Sequence, residues 1–334
     1  MHQCSSGIYE FVFGAPLTER AALIEFWQML GFVPIDEGTL AKTATGQIYG
    51  HEVELQSVRL VHPGCTTFGT GYVRLQLWES LADEGLGNTR PLTIGSRWMG
   101  LYTHDILQLE DAFRNAAMID RFDLWLSPRV DAPLANPAPS HDFFTPFVGL
   151  RELLVFGKYF RLAFIQRAGF DRPGFGTFDD TLPYKNTEGS HASLVQPTGV
   201  FSTAFYKQAF DFETAPFGGE HDSGEEPATV AALNLAPGET FRIERTRAVD
   251  CPGGLLQVYS PHQACDDKRH ASRPGCGNLC AYSVRVRDLD RLAATIDATS
   301  GASRGAICND EFGTAALNFT APDGLAWIAV ADVR

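Results

Sequence analysis

Four stretches of this 334-residue chain repeat one order of elements, and that repetition constrains the fold more than any other feature. Each stretch opens on an apolar strand, runs into an amphipathic helix and closes on a strand rich in β-branched and aromatic residues. The opening strands are Gly7–Phe13, Trp98–Thr103, His191–Val195 and Ala281–Val286. The helices that follow are expected over Thr18–Leu30, Leu109–Ala117, Val200–Ala209 and Asp288–Ile296. In the first, Leu23, Phe26, Trp27 and Leu30 form an apolar stripe at helical spacing, and Thr18 before Glu19 offers an N-cap. The closing strands are Gly71–Trp78, Tyr159–Ile165, Gly254–Tyr259 and Leu325–Val330. Each stretch reads as one βαβββ module.

Composition excludes several partners. A net charge of −13 opposes a phosphate-backbone ligand, because nucleic-acid binders carry a positive footprint. No apolar run approaches the roughly 18 residues of a membrane span, and the start, Met1–Gly7, lacks the basic n-region of a signal peptide. Seven cysteines, an odd number spread along the chain, suit reduced thiols and a cytoplasmic location. The 24 phenylalanines are expected to fill the core, some of them lining an apolar cavity.

Linkers divide the modules. Gly85–Pro91 separates the first two, and the Gly-, Pro- and Asp-rich Gly169–Glu188 is the strongest boundary. This predicts an N-terminal pair of modules over 1–168, a linker at 169–188 and a C-terminal pair over 189–334. Shorter breaks fall at Ala132–Ser140 and Gly218–Pro227. In the polar loop after the third module, Cys265, Cys276 and Cys280 are spaced C-x10-C-x3-C, which matches no standard zinc pattern. A plain reduced loop is expected there. His104-Asp105 stands where a helix cap is needed. His51, His62, His141 and His221 have no partner pattern in the sequence.

Several local motifs carry a resemblance. Phe26-Trp27-Gln28-Met29-Leu30-Gly31-Phe32 is similar to the "F-Y-x-x-L-G-F" helix end of the vicinal oxygen chelate superfamily, and Phe205-Tyr206 with Phe210 and Phe212 repeats part of it. Ala321-Pro322-Asp323-Gly324 looks like the family's "D-P-D-G" turn, and Val286-Arg287-Asp288-Leu289-Asp290 like its "V-x-D-L-D" joint. The superfamily includes glyoxalases, extradiol dioxygenases and fosfomycin-resistance proteins. The resemblance covers most of the chain and implies an α+β fold of four βαβββ modules paired into two cupped sheets. It also implies a divalent metal held by first- and last-strand residues of facing modules.

Carried over position by position, those places fall on His191 and Gln257 in the third module and on Ala281 and Ile328 in the fourth. In the first they fall near Tyr9 and Gln76, and in the second near Trp98 and Ala163. Alanine and isoleucine cannot coordinate a metal, and a catalytic site needs about three protein ligands. No metal ligand is therefore assigned beyond His191, although iron, manganese or zinc stays open as a cofactor. The remaining candidates are His191 as acid or base, Gln257 and Tyr259 as holders of a substrate oxygen, and Glu10 as a carboxylate base. A hydrogen-bonded structural histidine and an exposed strand glutamate are the plainer alternatives. Tyr9, Gln76, Phe205 and Tyr282 are candidate substrate contacts. Arg74 and Arg161, in closing strands, could grip a carboxylate, ion-paired strand arginines being the plainer reading.

The reading is a small-molecule enzyme, a lyase or isomerase using acid–base chemistry on an apolar, aromatic oxygenated substrate. A ring-cleaving dioxygenase with rearranged ligands is one alternative, and a non-catalytic binding or resistance protein is another. Neither nucleic acid nor a membrane is expected as a partner, and a homodimer stays open.

Overall fold

A computed structural model describes residues 4–132, 149–167, 174–200, 202–216 and 219–332. The break at 132–140 and His141 lie essentially outside the described residues, as does part of each of the stretches 169–188 and 218–227. All four modules form. The first comprises β1 (Cys4–Pro16), α1 (Arg20–Met29), β2 (Val33–Leu40), α2 (Lys42–Tyr49), β3 (Leu55–Val61), the short α3 (Cys65–Phe68) and β4 (Tyr72–Trp78). The second comprises β5 (Arg97–Tyr102), α4 (Ile106–Phe113), α5 (Ala116–Phe122), β6 (Trp125–Leu126), β7 (Val130–Ala132), β8 (Leu150–Phe156) and β9 (Arg161–Arg167). The third has β10 (His191–Val195), α6 (Ser202–Phe210), β11 (Phe212–Thr214), β12 (Glu220–Ser223), α7 (Pro227–Ala232), β13 (Phe241–Ala248) and β14 (Leu255–Pro261). The fourth has β15 (Asn278–Val286), α8 (Leu289–Asp297), β16 (Ser303–Asn309), β17 (Ala315–Thr320) and β18 (Ala326–Ala331).

Local chemistry explains the helix ends. Asp105 caps α4 by accepting from the Gln108 amide (3.2 Å), and Asp288 caps α8 by accepting from Arg291 (2.8 Å). The chain enters α1 through a 3-10 turn with no side-chain cap, so Thr18 does not take the capping role expected of it. Gly31 follows the helix at φ 81°, the left-handed position that ends a helix most cheaply with glycine.

In every module the opening strand lies parallel to the closing strand: β1 with β4, β5 with β9, β10 with β14, and β15 with β18. That arrangement leaves one edge of each opening strand unpaired, and the modules join through those edges. The joining departs from the sequential pairing expected from the linkers. β1 pairs antiparallel with β15, and β5 with β10. The first and fourth modules thus make an eight-stranded sheet, and the second and third a ten-stranded one. The stretch 169–188 connects two modules of the same sheet and does not divide the sheets. The chain leaves the eight-stranded sheet after β4 and returns to it at β15.

The main core joins both sheets. Phe26 of α1 stacks on Phe160 of the second module at 3.9 Å. Tyr206 of α6 donates to Asp323 (2.8 Å) and accepts from the Trp327 indole (3.0 Å), both in the fourth module. The Tyr282 hydroxyl donates to the carbonyls of Ser193 and Trp98, tying one sheet to the other. Among the described residues no helix is long and apolar enough to cross a membrane. Cys65, Cys251, Cys265, Cys276, Cys280 and Cys308 are free, and Cys276 and Cys280 are buried.

The stretch before β10 carries a buried acid. Glu188 is 2% exposed and accepts from the Thr177 amide at 2.9 Å. Burial lifts its pKa to about 7. The folded state therefore favours the protonated acid, and this stability is lost as pH rises from the ordinary carboxylate range through about 7. Glu188→Gln is expected to gain about 3 kcal/mol on the parent between roughly pH 4 and pH 8. Urea unfolding of the pair checks this, and a difference that stays flat with pH refutes it.

Candidate functional site

The two cups differ in what fills them. In the eight-stranded sheet, buried charges and an apolar cluster occupy the concave face. Arg74 is fully buried and pairs with Glu10 (2.7 Å), Asp310 (3.1 Å) and Glu311 (3.5 Å). Glu10 also accepts from Arg59 and Ser283, each at 2.7 Å. Burial raises its pKa, but Arg74 and Arg59 more than reverse that and hold it at about 2. Glu311, in the β16–β17 turn, accepts from Tyr49 and Ser57, each at 2.7 Å, and from Gln76 at 3.4 Å. The Phe312 ring lies 3.9 Å from the Arg59 guanidinium. Ala281 and Ile328 join Ile48 and Tyr49 of α2 in an apolar cluster on this sheet.

This arrangement corrects several expectations. Glu10 is ion-paired in the other sheet from His191, and its low proton affinity ill suits a base. Gln76 is tied to Glu311. Tyr9 packs on Tyr72 and under the Arg285 guanidinium, at 5.1 and 3.8 Å. Tyr282 spends its hydroxyl on backbone carbonyls, and Phe205 packs in the main core against Tyr206 and Phe319. None of these five lines the cavity of the ten-stranded sheet. Ala281 and Ile328 do not face His191, because their module belongs to the other sheet. Arg74 is committed to carboxylates, and Arg161 to the carbonyls of Arg97, Gly87 and Thr89.

The ten-stranded cup holds a cavity of about 330 Å³, near the lower end of the range for small-ligand sites. His191, Gln257 and Tyr259, three of the residues singled out in the sequence, all line it. The β10–β14 register sets Gln257 opposite Ser193 and Tyr259 opposite Val195, so strand alternation turns all three side chains to one face. Trp98 and Tyr102 of β5, Leu154 and Ile165 of the second module and Phe241 of β13 supply apolar wall. Only Phe175 and Phe241 of the described phenylalanines line the cavity. Most of the others sit in the core between the sheets.

His191 lies over Gly100, its partner across the β5–β10 junction. A Cβ on Gly100 would fall 1.8 Å from the His191 Cε1, so only glycine leaves room for the ring. The Ser190 hydroxyl lies 3.0 Å from the Gly100 carbonyl and 3.0 Å from His191 Nδ1. A carbonyl can only accept, so the single Ser190 proton goes to Gly100, and Nδ1–H of His191 donates to Ser190. Nε2 then carries the lone pair. Burial, followed by the positive charges of Arg245 and Arg167, lowers the His191 pKa to about 3. The ring is neutral near pH 7.

Three charged groups in the cavity were not found from the sequence: Glu152 on β8, Arg167 on β9 and Arg245 on β13. Burial raises the Glu152 pKa, although Arg167 and Arg245 oppose the rise. Arg245 Nε donates to Gln257 Oε1 at 3.2 Å, and the Tyr259 hydroxyl donates to the same oxygen at 3.3 Å. Gln257 is thus bonded to its strand neighbours. Burial pushes the Tyr259 pKa up to about 12, so the phenol remains a donor. The signal available for Glu152 was an acid beginning the apolar run Leu153–Phe156. Arg245 gave none, because Arg242, Glu244 and Arg247 surround it on the same strand.

The family's metal positions can now be read in the correct pair. His191 and Gln257 face Trp98 and Ala163, whose side chains offer no metal donor. Among the described residues no group of three or more His, Cys, Asp or Glu side chains could hold a metal ion. Arg167 and Arg245 add positive charge at the same place. This donor set does not fit a three-ligand metal centre.

No family model matches the sequence, and no curated protein does. Solved structures match its fold. Glyoxalase I from Zea mays superposes with a TM-score of 0.56 at 13% identity, over 98% of this chain and 92% of that one. A putative dioxygenase from Bacillus subtilis superposes with a TM-score of 0.55 at 12% identity, over 100% of this chain and 87% of that one. The four modules, with their parallel opening and closing strands, and the two sheets they form are therefore the fold this chain shares with these two structures.

Proposed function

We propose that the cavity of the ten-stranded sheet catalyses proton transfer on a small, apolar, oxygenated substrate, as a lyase or isomerase. The observation that carries this reading is the pair of titratable groups in one cavity whose proton affinities are displaced in opposite senses, Glu152 upward and His191 downward. Such divergence in a cleft is how acid and base roles are commonly divided.

The roles differ from those first expected of His191. A ring with a pKa of about 3 is a weak base near pH 7, whereas a carboxylate with raised proton affinity is better matched to the task. Glu152 takes the proton from a carbon beside a carbonyl. The electron pair moves into the new carbon–carbon double bond, and the carbonyl π pair moves onto oxygen. The Tyr259 hydroxyl, a neutral donor, turns from Gln257 to support that oxyanion. As the carbonyl re-forms, Glu152 returns its proton to the γ-carbon of a β,γ-unsaturated substrate, giving the conjugated isomer, or the Cα=Cβ bond forms as the β-substituent leaves with its electron pair and takes the proton from Glu152, giving a lyase product. His191 Nε2 accepts a hydrogen bond from a substrate hydroxyl. Trp98, Phe241 and Leu154 keep water out.

Deuterium wash-in tests this. Enolisable aryl ketones and aryl aldehydes are incubated with the protein in heavy water, and exchange is followed by NMR. Exchange is expected to be faster than in buffer and to fall about a hundred-fold or more in Glu152→Gln. It is also expected to rise with pH as Glu152 ionises, at a pH above the ordinary carboxylate range. Ligands that bind without any protein-dependent exchange would make the cavity a binding site and not an active site.

A further inference from the structure

We infer that the eight-stranded cup is a second ligand site, one for a small aliphatic carboxylate, and that Glu311 of the chain's own β16–β17 turn occupies it. The first support is convergence. Glu311 is buried, and its Oε2 accepts from the Tyr49 hydroxyl at 2.7 Å. Its Oε1 accepts from Ser57 (2.7 Å) and Gln76 (3.4 Å) and stands 3.5 Å from Arg74 Nη1. These four side chains come from α2, β3 and β4 of the first module, whereas the carboxylate comes from the fourth. Ser57 stands opposite Gln76 in the β3–β4 register. Gln76 holds in Leu75-Gln76-Leu77 the place that Gln257 holds in Leu256-Gln257-Val258, and Gln257 lines the open cup. The Glu311 carboxylate thus reaches in this cup the position that lies open to a ligand in the other.

The second support is an incomplete fit. Arg74 Nε, Arg74 Nη1 and Gln76 Oε1 are buried and have no hydrogen-bond partner among the described residues, although buried polar groups are nearly always paired. A carboxylate tethered to a turn stands 3.5 Å from Nη1, whereas a free one can close to the roughly 2.8 Å of a charge-assisted pair. The third is the build of the occupant. Asp310 Oδ1 accepts from the amides of Phe312 and Thr314, each at 3.0 Å, and Gly313 turns the chain at φ 77°. The turn is therefore self-contained. It follows β16, an edge strand of the sheet, whose pairing with β17 shifts register between Arg304 and Ile307. Where the turn passes β2, a Cβ on Gly38 would fall 1.9 Å from the Glu311 carbonyl oxygen, so glycine makes the room. A ligand carboxylate replaces that of Glu311 one for one, and the ion balance around Arg74 is unchanged.

Glu311→Ala tests this, because it removes the carboxylate and leaves a space with the outline of acetate beside Tyr49, Ser57, Arg74 and Gln76. Urea unfolding of the intact parent and variant chains is followed in sodium acetate, in acetamide and in sodium chloride of matched ionic strength. Acetate is expected to raise the unfolding midpoint of the variant saturably, with an apparent Kd of about 10 mM or below, and acetamide and chloride are not. In the parent the tethered Glu311 competes at a high effective concentration, so acetate is expected to bind about a hundred-fold more weakly. The inference is overturned if acetate protects the variant no better than acetamide or chloride, or if it protects parent and variant alike. Should the alanine variant fail to fold, Glu311→Gln, which keeps the shape of the side chain, replaces it. Acetate is expected to bind that variant about ten-fold more tightly than the parent, and equal binding overturns the inference. The outcome is independent of the proton-transfer reading, whose site lies in the other sheet.

Discussion

Arg74→Met is expected to lower the stability of the protein by about 3–5 kcal/mol, because it leaves buried carboxylates without their cation. Arg74 is fully buried and is shared by Glu10, Asp310 and Glu311. Methionine fills a similar volume, so the lost charge, and not a cavity, dominates. Arg59 and Ser283 still serve Glu10 in the variant, whereas Asp310 and Glu311 keep no guanidinium at these distances. The deficit is therefore pH-dependent. Burial already raises the Asp310 pKa against the pull of Arg74, and removal of the arginine raises it further. Protonation of Asp310 then relieves the variant as pH falls toward the carboxylate range. Urea unfolding near pH 8 and near pH 5 checks both parts. A variant within about 1 kcal/mol of its parent at pH 8 shows that the network contributes little, as buried ion pairs sometimes do.

Gly100→Ala carries the second large effect, and it falls on the candidate site. The added methyl would overlap the His191 ring, with a closest approach of 1.8 Å. The ring is confined by burial and by the Ser190 contact, so overpacking is expected to cost about 1–3 kcal/mol. Gly100 has a backbone that alanine can adopt, since its φ is not in the left-handed region. The cost is therefore steric and belongs to the pair. In a His191→Ala background the same substitution is expected to cost less than about 1 kcal/mol. A double-mutant cycle measures the difference, and additive behaviour rules out the contact. Loss of protein-dependent deuterium exchange in Gly100→Ala, with the fold retained, would tie the ring position to the proposed active site.

The sheet pairing explains why part of this was legible and part was not. Strand β10 was placed at His191–Val195 from alternation alone, because a half-buried strand repeats every two residues and the histidine begins the run. Gln257 and Tyr259 followed from the register within their own module, where β10 and β14 are joined by fewer than seventy residues of chain. Their convergence on one cavity is thus a local consequence of the βαβββ order. Glu10, Gln76 and Tyr9 were expected from the same positional argument, and they do reach the equivalent places. Those places lie in a cup closed by α2 and by the Glu311–Phe312 turn. Nothing in the two-residue period says whether a cup is open or filled.

The sequence by itself determined four modules, the strand that opens each and the side chains each presents, because helix and strand periodicities and turn residues act over a few residues. It also determined that alanine and isoleucine could not stand as metal ligands. Only the tertiary structure decided which opening edges meet. Edge pairing is nearly the same backbone chemistry for every strand, and the choice is made by side-chain fit across the seam, as with His191 over Gly100 and Phe11 edge-on to Tyr282 at 5.5 Å. That choice set Trp98 and Ala163 opposite His191 and brought Glu152, Arg167 and Arg245 around it. The proton affinities of the site followed, since burial and neighbouring charge exist only once the cup has closed.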